Sequence, residues 1–183
     1  MSIESVNQQI PAGTWTDDPV HSGVHFAITH NGIATYRSGF EDYSVTLTGG
    51  EHPKFEGTVE VASIDIDDPQ LKGHLMSPDF FDAERFPRLT FSSTELAVEE
   101  DGTVRIEGDL GIRGESRRVQ ATGRYGLLGA DLGGSERVGF SLATGIDRRD
   151  FGIDFQAELP NGNNAIDYEV AINVELELVA KSS

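Results

Sequence analysis

Three histidines, His21, His25 and His30, fall close together, and clustered imidazoles are the first feature here that could hold a transition metal. Strand spacing separates them. On an extended chain His21 and His25 share one face, while His30 falls on the other with Val24, Phe26 and Ile28. His30 is therefore read as an inward-facing histidine beside the Asn31-Gly32 turn, held by hydrogen bonds rather than by a metal, and as the one inward group suited to acid–base work. Asp65-Ile66-Asp67-Asp68 opens like a calcium loop, but the sixth position is Gln70 instead of Gly and the twelfth is Met76 instead of Glu. Those aspartates are better explained as caps of a helix that starts at Pro69. Arg148 and Arg149 together have the charge to hold an anionic headgroup, although a salt-bridged turn between strands is the preferred reading. The chain has no cysteine, no Gly-x-Ser-x-Gly, no phosphate loop and no His-Glu-x-x-His, so the usual nucleophilic and metal-hydrolytic machinery lacks its motifs. An enzyme is the minority reading, and no catalytic residue, metal or cofactor is assigned.

The elements that must position these residues are strands. From Glu169 to Leu178, Val170, Ile172, Val174, Leu176 and Leu178 alternate with polar or small residues, the pattern of a strand with one buried face. Val104, Ile106, Leu110 and Ile112 repeat it, as do Val138, Phe140, Leu142 and Ile146. Further strands are expected over 24–30, 36–48, 56–66, 89–98 and 119–127, separated by Asn31-Gly32, Gly49-Gly50, Asp101-Gly102 and Gly133-Gly134. Asn-Gly is the sharpest hairpin signal, because both turn positions require positive φ. About eight strands in sequence suit an up-and-down antiparallel barrel around one small ligand, and a two-sheet sandwich satisfies the same periodicity. The segment Leu159 to Ala165 reads as an exposed loop.

One stretch, Gly73 to Ser93, breaks the alternation with four phenylalanines and two prolines. Asp68-Pro69 and Ser77-Pro78 each place a capping side chain before a proline, so two short helical turns are expected. Leu71 and Leu75 share a face of the first, Phe80 and Phe81 project from the second, and Pro87 forces extended backbone into the strand bearing Phe91. Such an insertion in a β meander is read as a lid over a barrel mouth.

At 183 residues the chain suits one domain, with residues 1–12 read as an N-terminal arm and 13–180 as the domain. The formal charge of −17 repels phosphate backbones and anionic lipid headgroups, which argues against nucleic acid as a partner. The first ten residues have neither a basic nor an apolar region, and no apolar run reaches the length of a membrane span. A cytoplasmic protein without stable membrane insertion is expected.

Gly13-Thr14-Trp15 matches the Gly-x-Trp that opens lipocalin barrels, where tryptophan closes the barrel bottom; a core plug near an N-terminal strand explains it equally. Over nearly the whole chain the residues resemble the YceI-like, or polyisoprenoid-binding, domain family. The resemblance rests on Asp18-Pro19-Val20-His21-Ser22-Gly23-Val24-His25-Phe26, His30-Asn31-Gly32, Gly39-Phe40 and Ser63-Ile64-Asp65. It continues through His74-Leu75-Met76-Ser77-Pro78-Asp79-Phe80-Phe81-Asp82, Phe86-Pro87-Arg88-Leu89-Thr90-Phe91, Gly108 to Gly114 and Arg149-Asp150-Phe151-Gly152. Two departures stand out: Lys72-Gly73 where the family commonly has Arg-Asp, and Phe155-Gln156 where it commonly has Trp-Asn. The resemblance implies an all-β, lipocalin-like extended antiparallel barrel with a short helical insertion. It implies a long-chain isoprenoid, an isoprenoid quinone included, or a similar amphiphile in the interior, and often a homodimer. Parity and resemblance together make Phe26, Ile28, Phe40, Val45, Phe91, Phe140, Leu142 and Phe151 the expected ligand contacts. Leu75, Met76, Phe80 and Phe81 are expected at the mouth, with His30 and Phe155 completing the set. A stress-related scaffold without ligand, and an enzyme acting on an amphiphile through His30, are the alternatives.

Overall fold

The structure is a computed structural model and describes residues 10–182, so most of the expected N-terminal arm lies outside the described residues. Ten strands form one antiparallel sheet: β1 (Thr14–Asp17), β2 (Gly23–His30), β3 (Ala34–Phe40), β4 (Tyr43–Thr48), β5 (Lys54–Glu60), β6 (Arg88–Val98), β7 (Thr103–Ile112), β8 (Glu115–Ala130), β9 (Glu136–Asp147) and β10 (Ile166–Ala180). One helix, α1 (Pro69–Met76), and 3₁₀ turns at Val61–Ser63 and Arg148–Phe151 complete the regular elements. No helix among the described residues is long and apolar enough to cross a membrane.

The sheet closes into a barrel because β1 pairs on both sides, with β4 (Trp15↔Leu47) and with β10 (Trp15↔Ala180). The closed ring is β1 and β4 through β10, an eight-stranded antiparallel barrel. Two of its members differ from the expected eight. The segment expected as one strand over 36–48 divides at Glu41-Asp42, whose amides bond instead to the carbonyl and hydroxyl of Ser63. Opposite this break the chain also leaves the ladder between β1 and β2, where Pro19 has no N–H to donate and Asp18 accepts from the Val20 amide. At the level of both breaks the ring opens. Below it β1 and β4 join the ladder; above it β2 continues along β10 (Ile172↔Phe26) and β3 along β2 (Val24↔Phe40), while among the described residues the outer edge of β3 makes the Phe40↔Ile64 bridge and contacts from Asp65.

The helical insertion lies over this opening. The Leu71 amide donates to Asp68 Oδ1 at 2.7 Å, so Asp68 is the cap and Pro69 the first helical residue, as the cap-proline pair requires. The second expected helical turn is instead a run of tight turns. Phe80 and Asp82 amides both donate to the Ser77 carbonyl, and Asp82 adopts a φ of 50° that ends helical winding. Asn31 and Gly32 take φ of 55° and 73°, as the Asn-Gly signal demands.

The closed lower half is filled. Trp15, Leu47, Phe55, Leu96, Val98, Val104, Tyr125, Val138, Phe140 and Leu178 form one buried cluster, and the Trp15 indole donates to the Pro11 carbonyl at 3.1 Å. A register shift between Ser93 and Glu95 reverses the parity of β6, so that Leu89 and Phe91 above and Leu96 and Val98 below all face inward. Ser93 Oγ, buried at the shift, accepts from the Phe55 amide at 2.8 Å.

The β1–β2 break is tied down by charge. Asp18 Oδ2 lies 2.8 Å from His21 Nδ1 and 2.8 Å from Arg137 Nη1, and Arg137 also reaches Asp131 at 2.6 Å and Glu177 at 3.5 Å. The bonds from His21 and Arg137 hold the Asp18 carboxyl far below the usual carboxylate range, and Asp18 in turn raises His21. Asp18 therefore contributes stability that is fully present above its unfolded pKa of about 4 and is lost as pH falls through its lower folded value. The His21 share is present below about 6.5 and is lost as pH rises through its raised folded value. The expected outcome for Asp18→Asn is a reduced urea midpoint with the largest deficit near pH 5 to 6, narrowing in acid and again in alkali. A deficit independent of pH contradicts the assignment.

Candidate ligand-binding cavity

Above the filled half the barrel is hollow. A cavity of about 640 Å³ with an almost wholly apolar surface occupies the upper interior, within the size range of small-molecule sites. Strand parity builds its wall: Val24, Phe26 and Ile28 from β2, Gly57 and Val59 from β5, Leu110 and Ile112 from β7, Val119 and Ala121 from β8, Leu142, Thr144 and Ile146 from β9, and Val170, Ile172 and Val174 from β10. Leu71, Leu75, Phe80 and Phe81 of the insertion close the top. Ala34, Thr35, Tyr36 and His30 of the β2–β3 hairpin and Leu71 of α1 line the cavity and are exposed, so it meets solvent between that hairpin and α1.

Of the residues singled out in the sequence, Phe26, Ile28, His30, Phe40, Val45, Leu75, Phe80, Phe81, Phe91, Leu142 and Phe151 stand in the wall. Phe140, Met76 and Phe155 do not. Phe140 lies in the filled half, edge-to-face with Phe55 at 5.6 Å. Phe155 packs outside the wall against the His74 ring at 4.9 Å and Phe80 at 5.3 Å. His30 shares its face with Val24, Phe26 and Ile28 as parity demands, but it sits at the strand end and is exposed, not buried as expected.

The insertion holds its place through a second buried cluster. Phe80, Ile112, Phe151 and Ile153 are buried together, with Leu75, Phe81 and Phe155 against them. Phe80 is therefore core as much as lid, whereas Phe81 faces across the opening to Phe40, their rings 6.2 Å apart, and Phe40 continues to Phe26 at 5.8 Å. Arg113 Nη1 donates to the carbonyls of Phe80 and Gly152 at 3.1 and 3.0 Å, fastening the insertion to the 3₁₀ turn. The two departures from the family pattern fall in the loop after the 3₁₀ turn and on α1. Gln156 donates to the Ile166 carbonyl at 2.6 Å and accepts from the Ile166 amide, and Gly73 lies on the exposed surface of α1.

The paired arginines part ways. Arg149 binds Asp147 at 2.6 Å, the salt-bridged turn the sequence suggested, and holds that carboxyl at about 2. Arg148 is buried, lines the cavity and donates to three carbonyls, those of Ile153, Ile166 and Asp167, with burial lowering its pKa. It staples the loop after the turn onto β10. The cavity residues that sequence reasoning did not assign to the site, Val170, Ile172 and Val174 above all, had a signal in the strict alternation of β10. Gly57 and Ala121 had none, since small residues mark a cavity only when the opposite wall is known.

The described chain matches the family model for the YceI-like domain over residues 15–178. A UPF0312 protein of Photorhabdus laumondii is 30% identical over 159 residues, 85% of this chain and 80% of that protein. A UPF0312 protein of Vibrio cholerae is 26% identical over 137 residues, 73% of this chain and 72% of that one. Among solved structures, Burkholderia cenocepacia BcnA superposes with a TM-score of 0.73 at 22% identity, covering 90% of this chain and 99% of BcnA. A polyisoprenoid binding domain from Saccharophagus degradans gives 0.67 at 14% identity, covering 93% and 100%. With a family match that takes in all but the outermost residues of the barrel and the whole insertion, the chain belongs to the YceI-like domain family.

Proposed function

We propose that this protein binds a long-chain isoprenoid or similar amphiphilic lipid in the barrel interior, as a carrier or sequestering protein. The observation that carries the reading is the cavity itself: about 640 Å³ with almost no polar surface. A buried water needs two to four polar partners, which such a wall withholds, whereas each methylene brought in from water gains about 0.8 kcal/mol. The shared fold with a polyisoprenoid binding domain supports an isoprenoid as the chain.

Water is not the relevant reference in a cell. A lipid resting in a membrane already has apolar contacts, so transfer into the barrel is close to balanced, which suits a carrier or a buffer more than a trap. Carriage is also favoured over catalysis by the position of His30, exposed on the rim at the end of β2, where the ring meets water.

Solvent extraction of freshly purified protein, followed by mass spectrometry, is expected to release a prenyl or acyl lipid in near-stoichiometric amount; an extract without lipid, together with failure to take up prenyl chains, refutes the reading. Phe81→Ala is expected to lower lipid content severalfold with the unfolding midpoint little changed. Phe80→Ala empties part of the second buried cluster and is expected to cost about 3 kcal/mol in a urea titration. Equal effects of the two on stability would return Phe81 to ordinary core.

A further inference from the structure

Resting on the lipid-binding reading, we infer that the barrel measures chain length and houses an apolar chain of about twenty carbons, with Phe55 and Phe140 as the floor and Gly57 providing the depth above it. In the ring order, β5 and β9 are four strands apart in an eight-stranded barrel and so stand diametrically opposite. Phe55 on β5 and Phe140 on β9 meet edge-to-face at 5.6 Å, and their contact therefore spans the interior. Tyr125 packs against Phe140 from β8 at 5.2 Å, and the residues below are buried with no cavity wall among them. A chain coming in from β3 stops at this pair.

Directly above Phe55 the next inward position of β5 is Gly57. A Cβ placed there would meet only Ser44 O at 3.6 Å and Val45 Cγ2 at 3.8 Å, ordinary contacts, so the backbone does not demand glycine. Its φ is also outside the positive range that favours glycine. What the missing side chain provides is space. Ala121 on β8 adds more at the same depth, its partner across the ladder being Ile106, a residue of both the wall and the filled cluster. By contrast Gly108 is required by packing, since its Cβ would lie 2.7 Å from the Phe91 ring and 2.5 Å from a backbone oxygen. Taking for each non-hydrogen atom the share of liquid volume a water takes, about 30 Å³, the cavity of about 640 Å³ accommodates about twenty such atoms. Carbons beyond that number stay at the mouth in water, where the membrane holds them better.

The test loads the purified full chain from neutral phosphatidylcholine vesicles containing farnesol, geranylgeraniol or solanesol, alcohols of fifteen, twenty and forty-five carbons. Prenol retained per mole of re-isolated protein is read by mass spectrometry. Geranylgeraniol is expected to exceed solanesol at least tenfold. Gly57→Leu, which adds four heavy atoms to the cavity, is expected to shift the preference to farnesol while native circular dichroism and the unfolding midpoint are maintained. Equal retention of geranylgeraniol and solanesol by the wild-type chain overturns the length limit and leaves lipid binding standing. Retention of none of the three overturns lipid binding, and the length limit with it. The wild-type series alone decides between these outcomes, whether or not the variant folds.

Discussion

The whole arrangement depends on a four-residue strand. β1 is the one segment that pairs with both β4 and β10, and without it the sheet would be an open ribbon with two unprotected edges. Its sequence, Thr-Trp-Thr-Asp, is short but well chosen for the position. Trp15 fills the bottom of the ring, and Asp17 Oδ1 accepts from the Val45 amide at 2.7 Å where the ladder ends. The proline that follows at Pro19 ends this pairing, and the network of Asp18, His21, Arg137 and Glu177 fixes the angle at which the chain rejoins β10. Closure below and divergence above are thus two results of one interruption.

That geometry divides the interior into unequal halves. Where the ring is closed, large side chains from opposite strands meet and fill it; where it opens, phenylalanines and aliphatic residues line the wall without meeting across the interior. A barrel of eight strands is just wide enough for side chains to fill or for one small ligand. Which of these occurs at a given depth is decided by residue volume. Phe55 and Gly57, two positions apart on one strand, stand on either side of the change.

The insertion between β5 and β6 is the counterpart of β1 at the other end. It does not complete the ladder; it covers the gap with side chains, and it is held by a small core of its own and by Arg113, while Arg148 holds the loop beside it. Arg113 and Arg148 donate to backbone carbonyls instead of carboxylates. Carbonyl partners satisfy the guanidinium donors while fastening the loop backbone at Phe80, Gly152 and Ile153 to its surroundings. Arg149, only one residue from Arg148, is exposed and paired with Asp147, and it illustrates how adjacent identical residues acquire different work from their surroundings.

Much of this was legible in the residues. Alternation marked β2 and β6 to β10, Asn31-Gly32 marked its hairpin, and Asp68-Pro69 marked the start of α1, because each is a local rule in which the side chain acts on its own backbone or faces one side of it. The all-β class and the inward faces of Phe26, Ile28 and Leu142 follow from the same period of two, whereas Phe40 and Val45, of opposite parity in the segment 36–48, both face inward because the chain breaks between them. Less visible were β1, too short for a period, and the break at Glu41-Asp42, caused by bonds to a serine some twenty residues away. Parity places Phe140 inward but cannot say at what depth, and it cannot tell that Phe155 packs behind the wall. Depth depends on register between strands, and register depends on closure. Sequence alone determined which faces are apolar and where the chain turns, since those are properties of neighbours along the chain. Tertiary structure decided which apolar faces meet and which leave a space, because filling a barrel depends on volumes contributed by strands far apart in sequence.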